Sequence, residues 1–514
     1  MTAHFILNFS GYSMYPFLKP GDRLIVRPVS PDSLKVGDLA VFRNNGNHLV
    51  VHRLIEILPT GAGVFKGDSM LSCDPEPVNL ADIHGKVDAV IRGNRFIPVS
   101  IGPRSKMNSF YALLSRKCLT PGILRLKAKN LLISLLPGYH SPHTDYEMRF
   151  ILSVLGSREP DTDSPVNFNK VRKIACREGV AGILYHRLKL KGTSGSLVSS
   201  LEKQYDATAS LNSINIYALE NIEKALKGEK IEIITLKGAS LLDSIYPGIG
   251  MRPMGDIDLM VHPGDLKQFK KILSTLGYKR DASIPHIFRK DAVVIDLHIH
   301  ALNTDRITSR ACLFPSGMKP VWENSIPWKE GCRWLRKPDD IDNLLLLSQH
   351  AMKHSFANLI WVQDMYELLQ DRDPAFWHRL SQRVDYLDQR RMLIYSLGII
   401  SKLFKYEPPE GSGFEKPYKL LSRIERGLLE AMLIKHPVNH MGPLMALFCI
   451  SGLMDRIKFG WETLFPRNEI IDQEFSYPHE GRRIYFYPAR FFSTIFTLFR
   501  QFREVLNSLI RNWE

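Results

Sequence analysis

The first hundred residues alternate short apolar runs with turn-forming residues. Three such runs are Arg23–Arg27, Leu39–Phe42 and Leu49–Val51, with a turn signal at Gly46-Asn47 between the last two. Apolar runs of this length, bounded by Gly, Pro, Asn and Asp, are typical of β-strands. The pattern therefore predicts a small all-β domain over residues 1–103.

The remainder of the chain has helical periodicity with one strand-rich block. Helical patterns precede residue 228 and return from Asp339, and strand-like runs such as Ile231–Leu236 and Val293–His300 lie between them. We predict a multidomain protein in which the small all-β domain precedes an α+β domain with extensive helical regions. The predicted divisions are a basic amphipathic linker at 104–145, an α+β domain at 146–400 with its core at 229–300, and a helical C-terminal region at 401–514.

Composition narrows the classes of partner. The 514 residues exceed one ordinary core, and the net charge of +15 favours polyanionic partners such as nucleotide phosphates, nucleic acid or an anionic membrane. The charge is spread along the chain, so a generally basic composition explains it equally well, and no motif indicates nucleic acid. The six cysteines contain no CxxC pair, which argues against a disulfide framework or a zinc site and favours a reducing compartment.

No membrane or targeting segment is predicted. The N-terminus lacks a basic and apolar leader, and no window holds about 18 uninterrupted apolar residues. We therefore expect a cytoplasmic protein. Peripheral contact with the inner face of a membrane, through a helix at 123–136 or an apolar stripe at 491–510, stays open as an alternative.

An ordered set of polar residues lies on the strand-rich background. Ser13 follows Gly11-Tyr12 and precedes Met14-Tyr15-Pro16, and His52, Asp68 and Asp74 come later. A serine hydroxyl needs a neighbouring base, which His52 can supply near neutral pH. An aspartate then orients the imidazole, and either Asp68 or Asp74 fits that role.

These residues resemble the signal peptidase I family of serine peptidases, of the S24/S26 type. The resemblance covers about residues 8–92 and includes Gly-x-Ser-Met-x-Pro, His-Arg in place of a lysine, Lys-Gly-Asp, and a closing strand at Gly85–Val87. It implies a serine endopeptidase that needs no cofactor and acts on a peptide or protein. Members are usually anchored in a membrane, whereas no anchor precedes Ser13 here, so removal of secretory signal peptides is not expected.

The central block contains three aspartates in a strand pattern. Asp256 and Asp258 are two positions apart, so both carboxylates point to one face of a strand, and Asp296 lies on another predicted strand. Adjacent carboxylates repel each other unless a cation lies between them, and Mg²⁺ prefers oxygen ligands and bridges triphosphate oxygens. The spacing therefore predicts a magnesium site that handles a nucleoside triphosphate.

The run from Leu236 to His298 resembles the DNA polymerase β-type nucleotidyltransferase superfamily. More closely, it resembles a bacterial family of uncharacterised nucleotidyltransferases over about residues 146–400, including Gly179–Tyr185 and a downstream group of His350, His354, Trp361 and Asp364. That resemblance implies nucleotidyl transfer from a triphosphate to an acceptor that it does not name.

Four further residues are predicted to contact the triphosphate. Gly238 and Ser240 stand where the superfamily has its Gly-Ser turn, although Ala239 intervenes, and Lys237 and Arg252 carry suitable charges. His298 and His300 share a face with Asp296, where hydrogen bonding near the site is favoured over metal ligation.

Three hypotheses follow. The first is a bifunctional protein with both a serine endopeptidase and a metal-dependent nucleotidyltransferase. The second retains only the nucleotidyltransferase, with the N-terminal domain as a degenerate peptide-binding module. The third is a membrane-peripheral signal peptidase that processes exported precursors.

Overall fold

A computed structural model describes most of the chain up to residue 465. The described residues are 4–10, 13–14, 17–19, 21–43, 49–70, 73–74, 76–92, 95–99, 108–109, 112, 146–157, 166–242, 244–281, 284–304, 307–433 and 442–465. They fall into two compact units, one within residues 1–138 and one within 139–467.

The first unit is built on one antiparallel sheet. Its strands run in the order β1-β2-β7-β3-β4-β5-β6, and β8 pairs with β7. Their bounds are β1 Phe5–Asn8, β2 Arg23–Arg27, β3 Leu39–Arg43, β4 Leu49–Ile57, β5 Ala62–Lys66, β6 Val78–Asn79, β7 Gly85–Arg92 and β8 Arg95–Pro98. Short 3₁₀ turns occur at Pro31–Ser33 and Leu80–Asp82.

Alternation of side chains across the sheet separates two of the small cores in this unit. In β3, Val41 packs with Met14 and Val87 in one core, while Ala40 and Phe42 pack with Phe65 in the other. Because successive strand residues point to opposite faces, a continuous apolar run such as β3 must be covered on both sides. This explains why all of its first four residues are buried.

The second unit contains a mixed sheet. The strand order is β11-β12-β13-β10-β9-β15-β14, in which β10 is parallel to β13 and antiparallel to β9. The bounds are β9 Ile233–Leu236, β10 Ile257–Val261, β11 Lys279–Arg280, β12 Ile287–Lys290, β13 Val293–His298, β14 Ile326–Pro327 and β15 Leu335–Lys337.

Helices surround this sheet. They are α1 Tyr146–Leu155, α2 Phe168–Arg177, α3 Ala181–Leu190, α4 Ser196–Glu229, α5 Gly238–Leu241, α6 Leu266–Thr275, α7 Lys319–Glu323, α8 Asp340–Lys353, α9 Leu359–Leu368, α10 Pro374–Tyr386, α11 Arg390–Phe404, α12 Arg423–Leu433, α13 Gly442–Cys449 and α14 Leu453–Leu464, with 3₁₀ turns at Thr308–Leu313 and Pro417–Leu420. The start of α8 is capped by the Asp339 carboxylate, which accepts the Asp342 amide, as helix N-termini favour.

The two faces of the second sheet belong to different cores. Ile234, Leu236 and Met260 pack into the larger core with the helices from α1 onward. Ile233 and Leu259 face the other way, into a core shared with α4 and α6. Even-numbered residues of β9 and β10 therefore face the large helical layer, and this parity places the polar site described below.

The predicted fold class is confirmed: an antiparallel all-β unit precedes a helix-rich α+β unit. The linker helix at 123–136 and the stripe at 491–510 lie outside the described residues. The domain boundaries stay predictions. In the described part of the chain, no helix combines the length and apolar character that crossing a bilayer requires.

Candidate active sites

In the first unit, His52 is held by Asp74. His52 lies on β4 opposite Ala40 of β3, and its Nδ1 is 2.8 Å from each Asp74 carboxylate oxygen. The Asp74 amide donates to the Phe65 carbonyl oxygen at 2.9 Å, which fixes this aspartate beside β5. The His52 ring is mostly buried and Asp74 remains about a fifth exposed. The pair has the arrangement of a base and the carboxylate that orients it.

Asp68 is engaged elsewhere, with Arg53. Arg53 Nε and Nη2 donate to the two Asp68 oxygens at 2.8 and 2.7 Å, and both side chains have 0% exposure. Arg53 Nη1 also donates to the Gly37 carbonyl oxygen at 2.9 Å and to Asn108 Oδ1 at 3.3 Å. Of the two aspartates that the sequence left open for His52, the geometry selects Asp74.

Ser13 is positioned through its backbone. Its carbonyl oxygen accepts both the amide and the hydroxyl of Ser69 at 2.8 Å. A Cβ on Gly67 would lie 2.7 Å from the same oxygen, so the glycine permits this close approach. Among the described residues, no hydrogen bond joins the Ser13 hydroxyl to the His52 ring. The nucleophilic role of Ser13 therefore stays a prediction.

In the second unit, strand register brings together residues far apart in the chain. Asp258 of β10 lies opposite Asp296 of β13, and both are even-numbered positions on the face toward the helical layer. His298 Nε2 is 2.8 Å from Asp258 Oδ1 and 3.4 Å from Asp296 Oδ2. One ligand atom from each of the three lies within 4.8 Å of the others, which suits a single metal ion.

Both nitrogens of the His298 ring face oxygen atoms. Nδ1 is 2.7 Å from Asn303 Oδ1, while Nε2 points between the two carboxylates. The contact with Asn303 fixes the plane of the imidazole, so Nε2 is directed at the place where a cation held by both carboxylates would lie. Both Asp258 and His298 are nearly inaccessible to solvent, so the donor set fits a bound divalent cation.

Lys237 supplies a positive charge at the same place. Its Nζ lies 2.5 Å from Asp258 Oδ1. Lys237 adopts φ 53° and ψ −124°, an uncommon conformation for a residue with a side chain. Burial by itself would raise the pKa of Asp258, but Lys237 and His298 outweigh burial and hold the pKa of that carboxyl below its ordinary value.

Asp256 borders this group, and its pKa is shifted in the opposite direction from that of Asp258. Loss of surrounding water, and then the negative charge of Asp258, raise the pKa of the Asp256 carboxyl. Its side chain nevertheless stays open to solvent. Asp256 is absent from the trio of ligand atoms found within 4.8 Å, in which His298 stands instead. Ligation by Asp256 stays a prediction, and a cation near it would offset this repulsion.

Two of the predicted phosphate contacts are engaged within the protein. The Ser240 hydroxyl is buried, 2.8 Å from the Lys237 carbonyl oxygen and 3.1 Å from Asn343 Oδ1 of α8. Arg252 donates to Asp364 of α9 through Nε and Nη2, and Tyr246 donates to the same carboxylate at 2.6 Å.

The Arg252 guanidinium also closes against the Gly238 turn. A Cβ on Gly238 would lie 2.4 Å from Arg252 Nη1, so glycine is required for this contact. The Arg252 pair is fully enclosed, since Asp364 has 0% exposure. This geometry favours a positioning role for Arg252 and Ser240, whereas Lys237 is the predicted phosphate contact whose side chain meets a carboxylate, that of Asp258.

The loop that leads into Asp256 is tied to the long helix α4. Asn212 Nδ2 donates to the carbonyl oxygens of Ile249 and Arg252, each at 2.7 Å, and Asn215 Nδ2 donates to Met254 at 3.1 Å. Sequence reasoning missed Asn212, Asn215 and Asn303. Two asparagines three positions apart on an otherwise helical pattern were the one signal that could have indicated this tie.

The comparisons with known proteins agree with two separate regions of similarity. A family model described as "Peptidase S24-like" matches residues 1–87. Another, described as "Uncharacterised nucleotidyltransferase", matches residues 164–405. No curated protein and no solved structure matches the chain significantly. The chain therefore joins a Peptidase S24-like domain to a domain of the uncharacterised nucleotidyltransferase family.

Proposed function

We propose that the second unit transfers a nucleotidyl group from a nucleoside triphosphate to an acceptor, with a divalent cation. One observation carries the proposal: Asp258, Asp296 and His298 converge within 4.8 Å beside the Lys237 ammonium group. Carboxylates and a cationic side chain beside a tight Lys-Gly turn are what binding a metal–triphosphate complex requires.

The residues divide the work as follows. Asp258, Asp296 and His298 would hold the cation, which we infer to be Mg²⁺. Asp256 would offer a further carboxylate at the edge of this group, where a second cation could bind. When bound, the cation neutralises phosphate charge and stabilises the leaving pyrophosphate. The Lys237 ammonium group would leave Asp258 and pair with a phosphate oxygen of the bound nucleotide. A hydroxyl oxygen of the acceptor would form a bond to the α-phosphorus and release its proton to water, while the bond from the α-phosphorus to the oxygen that bridges to the β-phosphate breaks and pyrophosphate leaves.

The test is transfer of label from α-³²P nucleotides, each of the four offered with Mg²⁺ to the full chain and to candidate acceptors, including the chain itself. Asp258→Asn should abolish labelling, because it removes the central ligand. Asp291→Asn, at an exposed turn, is the matched control and should label normally. Labelling that survives Asp258→Asn, or absence of nucleotide binding with Mg²⁺ present, would refute the proposal.

We propose for the first unit a serine endopeptidase with Ser13 as nucleophile, His52 as base and Asp74 as the residue that orients His52. The contact of 2.8 Å between His52 Nδ1 and Asp74 supports it, since this contact leaves Nε2 to accept a proton. The alternative of a degenerate peptide-binding module predicts the same pair without cleavage.

Exposure of the full chain to a mixed peptide library, read by mass spectrometry, separates these two. Ser13→Ala and His52→Ala should each abolish cleavage, including any self-cleavage, whereas the surface variant Ser33→Ala should cleave normally. Cleavage that is identical in all four proteins would exclude the assigned residues.

We further propose that both units act in the cytoplasm, where nucleoside triphosphates are supplied; fractionation of cells tests this directly.

A further inference from the structure

Three ring side chains form a cluster on the helices beside the nucleotidyltransferase site. His350 and His354 come from the end of α8, and Trp361 comes from α9. The His350 and Trp361 ring centroids are 4.8 Å apart at 80°, the two histidine rings are 4.8 Å apart, and His354 is 5.3 Å from Trp361. An edge-to-face pair covers only one ring face, so the cluster can still offer a ring face to a further ring.

Helix α8 connects this cluster to the Lys237–Ser240 turn. Asn343, near the start of α8, accepts the Ser240 hydroxyl at 3.1 Å. His350 is seven residues further on, which returns it to the same face of the helix after a rise of about 10 Å. A nucleotide with its phosphates at the turn extends over a comparable length.

Helix α9 connects the cluster to the same turn by a second route. Asp364 holds Arg252, whose guanidinium lies against Gly238. Trp361 precedes Asp364 by three residues, so both lie on one side of α9. The two helices thus deliver the ring cluster to the neighbourhood of one turn, each through a contact to that turn.

The rings are partly accessible, and the surroundings of His350 disfavour its charged form. His350 and Trp361 are half-buried and His354 is exposed. Burial, then the positive charges of Lys237 and His354, lower the pKa of His350 well below its ordinary value, while Asp258 acts in the opposite direction and Lys353 in the same one. A neutral imidazole beside an indole offers apolar ring faces rather than a charge.

We propose that His350, His354 and Trp361 form the subsite that stacks the base of the nucleoside triphosphate. This inference rests on the proposed nucleotidyl transfer and adds to it the residues that recognise the base. Base stacking on aromatic side chains tolerates different bases, so the cluster would bind the heterocycle without selecting one base by hydrogen bonding.

The test compares a ligand that has a base with one that lacks it. Titration calorimetry with Mg²⁺ measures binding of the four α,β-methylene nucleoside triphosphates and of inorganic tripolyphosphate to the full chain. We expect Trp361→Ala to weaken nucleotide binding about 5- to 150-fold, which corresponds to loss of one stacked base, and to change tripolyphosphate binding less than twofold. Trp361→Phe should restore most of the loss.

Controls separate stacking from general damage. Trp461→Ala, an exposed tryptophan on α14, should bind both ligands like the parent. Should Trp361→Ala fail to fold, the exposed His354→Ala serves instead, with the same selective loss expected. Equal loss of both ligands, or unchanged nucleotide binding, overturns the subsite. A parent that binds nucleotide and tripolyphosphate equally also overturns it while leaving the transferase proposal intact, and a parent that binds neither overturns both.

Discussion

Removing the charge of Asp68 should mainly lower stability, whereas removing the charge of Asp74 should mainly lower catalytic turnover. Asp68→Asn leaves the Arg53 cation without its partner at a site where both side chains have 0% exposure. Breaking one side of a buried pair costs about 3–5 kcal/mol, which for a unit near 100 residues is a fall in melting temperature of roughly 12–40 °C. Asp74 is 21% exposed, and Asp74→Asn should change the unfolding free energy by less than about 1 kcal/mol.

Catalysis should show the reverse order. Asp74→Asn removes the carboxylate that contacts His52 Nδ1, and in the proposed serine peptidase the loss of this orienting group should lower turnover by about 10⁴. The loss of stability is measured by denaturant unfolding, monitored through hydrogen exchange of the β4 amides. The loss of turnover is measured by cleavage of a peptide selected from the library. The double variant Arg53→Met/Asp68→Leu should regain most of the lost stability, because both charges of this buried pair are removed together. A stable Asp68→Asn protein, or an Asp74→Asn protein with full activity, would refute the assignment.

Three further outcomes are expected in the second unit. Arg252→Met should lower the unfolding free energy by about 3–5 kcal/mol in urea titration; the triple variant Tyr246→Phe/Arg252→Met/Asp364→Leu should be close to the parent, because it removes both donors together with the carboxylate, and a mild single variant would contradict the buried pair. Asn303→Ala should weaken Mn²⁺ binding about 10- to 100-fold by calorimetry, because His298 loses the contact that orients it; equal affinity would show that this contact has no such effect. Because burial lowers the pKa of His350, the unfolded chain binds an extra proton below pH 6.5, so stability falls as pH falls from there, by at most about 1.4 kcal/mol per pH unit. His350→Gln should lose correspondingly less between pH 7 and 5, and identical pH slopes for the two proteins would contradict the shift.

Local patterns were sufficient for two of the central strands of the first unit. The runs at Arg23–Arg27 and Leu39–Phe42 became strands at nearly the predicted residues, because continuous apolar segments bounded by turn residues have few other ways to be buried. The same reasoning did not distinguish Asp68 from Asp74. Both follow β5 closely, and only the pairing of β4 with β5 shows which one reaches His52 and which one reaches Arg53.

The second site shows the same division between local and long-range information. The period of two is enough to predict that Asp256 and Asp258 share one face of a strand. It did not indicate that His298 would join Asp258 and Asp296 while Asp256 borders them, because that depends on the parallel register of β10 and β13. Likewise, the positive charge of Arg252 suggested a phosphate contact. In the structure Arg252 pairs instead with Asp364, a buried residue more than 100 positions away in the chain.

The amino-acid sequence by itself determined that an all-β domain precedes a helix-rich α+β domain, and it indicated several of the strands and the short motifs of the candidate sites. These properties depend on neighbouring residues, whose side chains alternate or recur with the period of the strand or helix they form. Only the tertiary structure decided which side chains meet: Asp74 with His52, Arg53 with Asp68, and His298 with the two carboxylates. Apart from His298 and Asp296, which are two positions apart on one strand, these contacts join residues that are 15 to 40 positions apart. Their pairing follows from strand register and helix packing, which minimise buried unpaired charge over the whole fold rather than over any local segment.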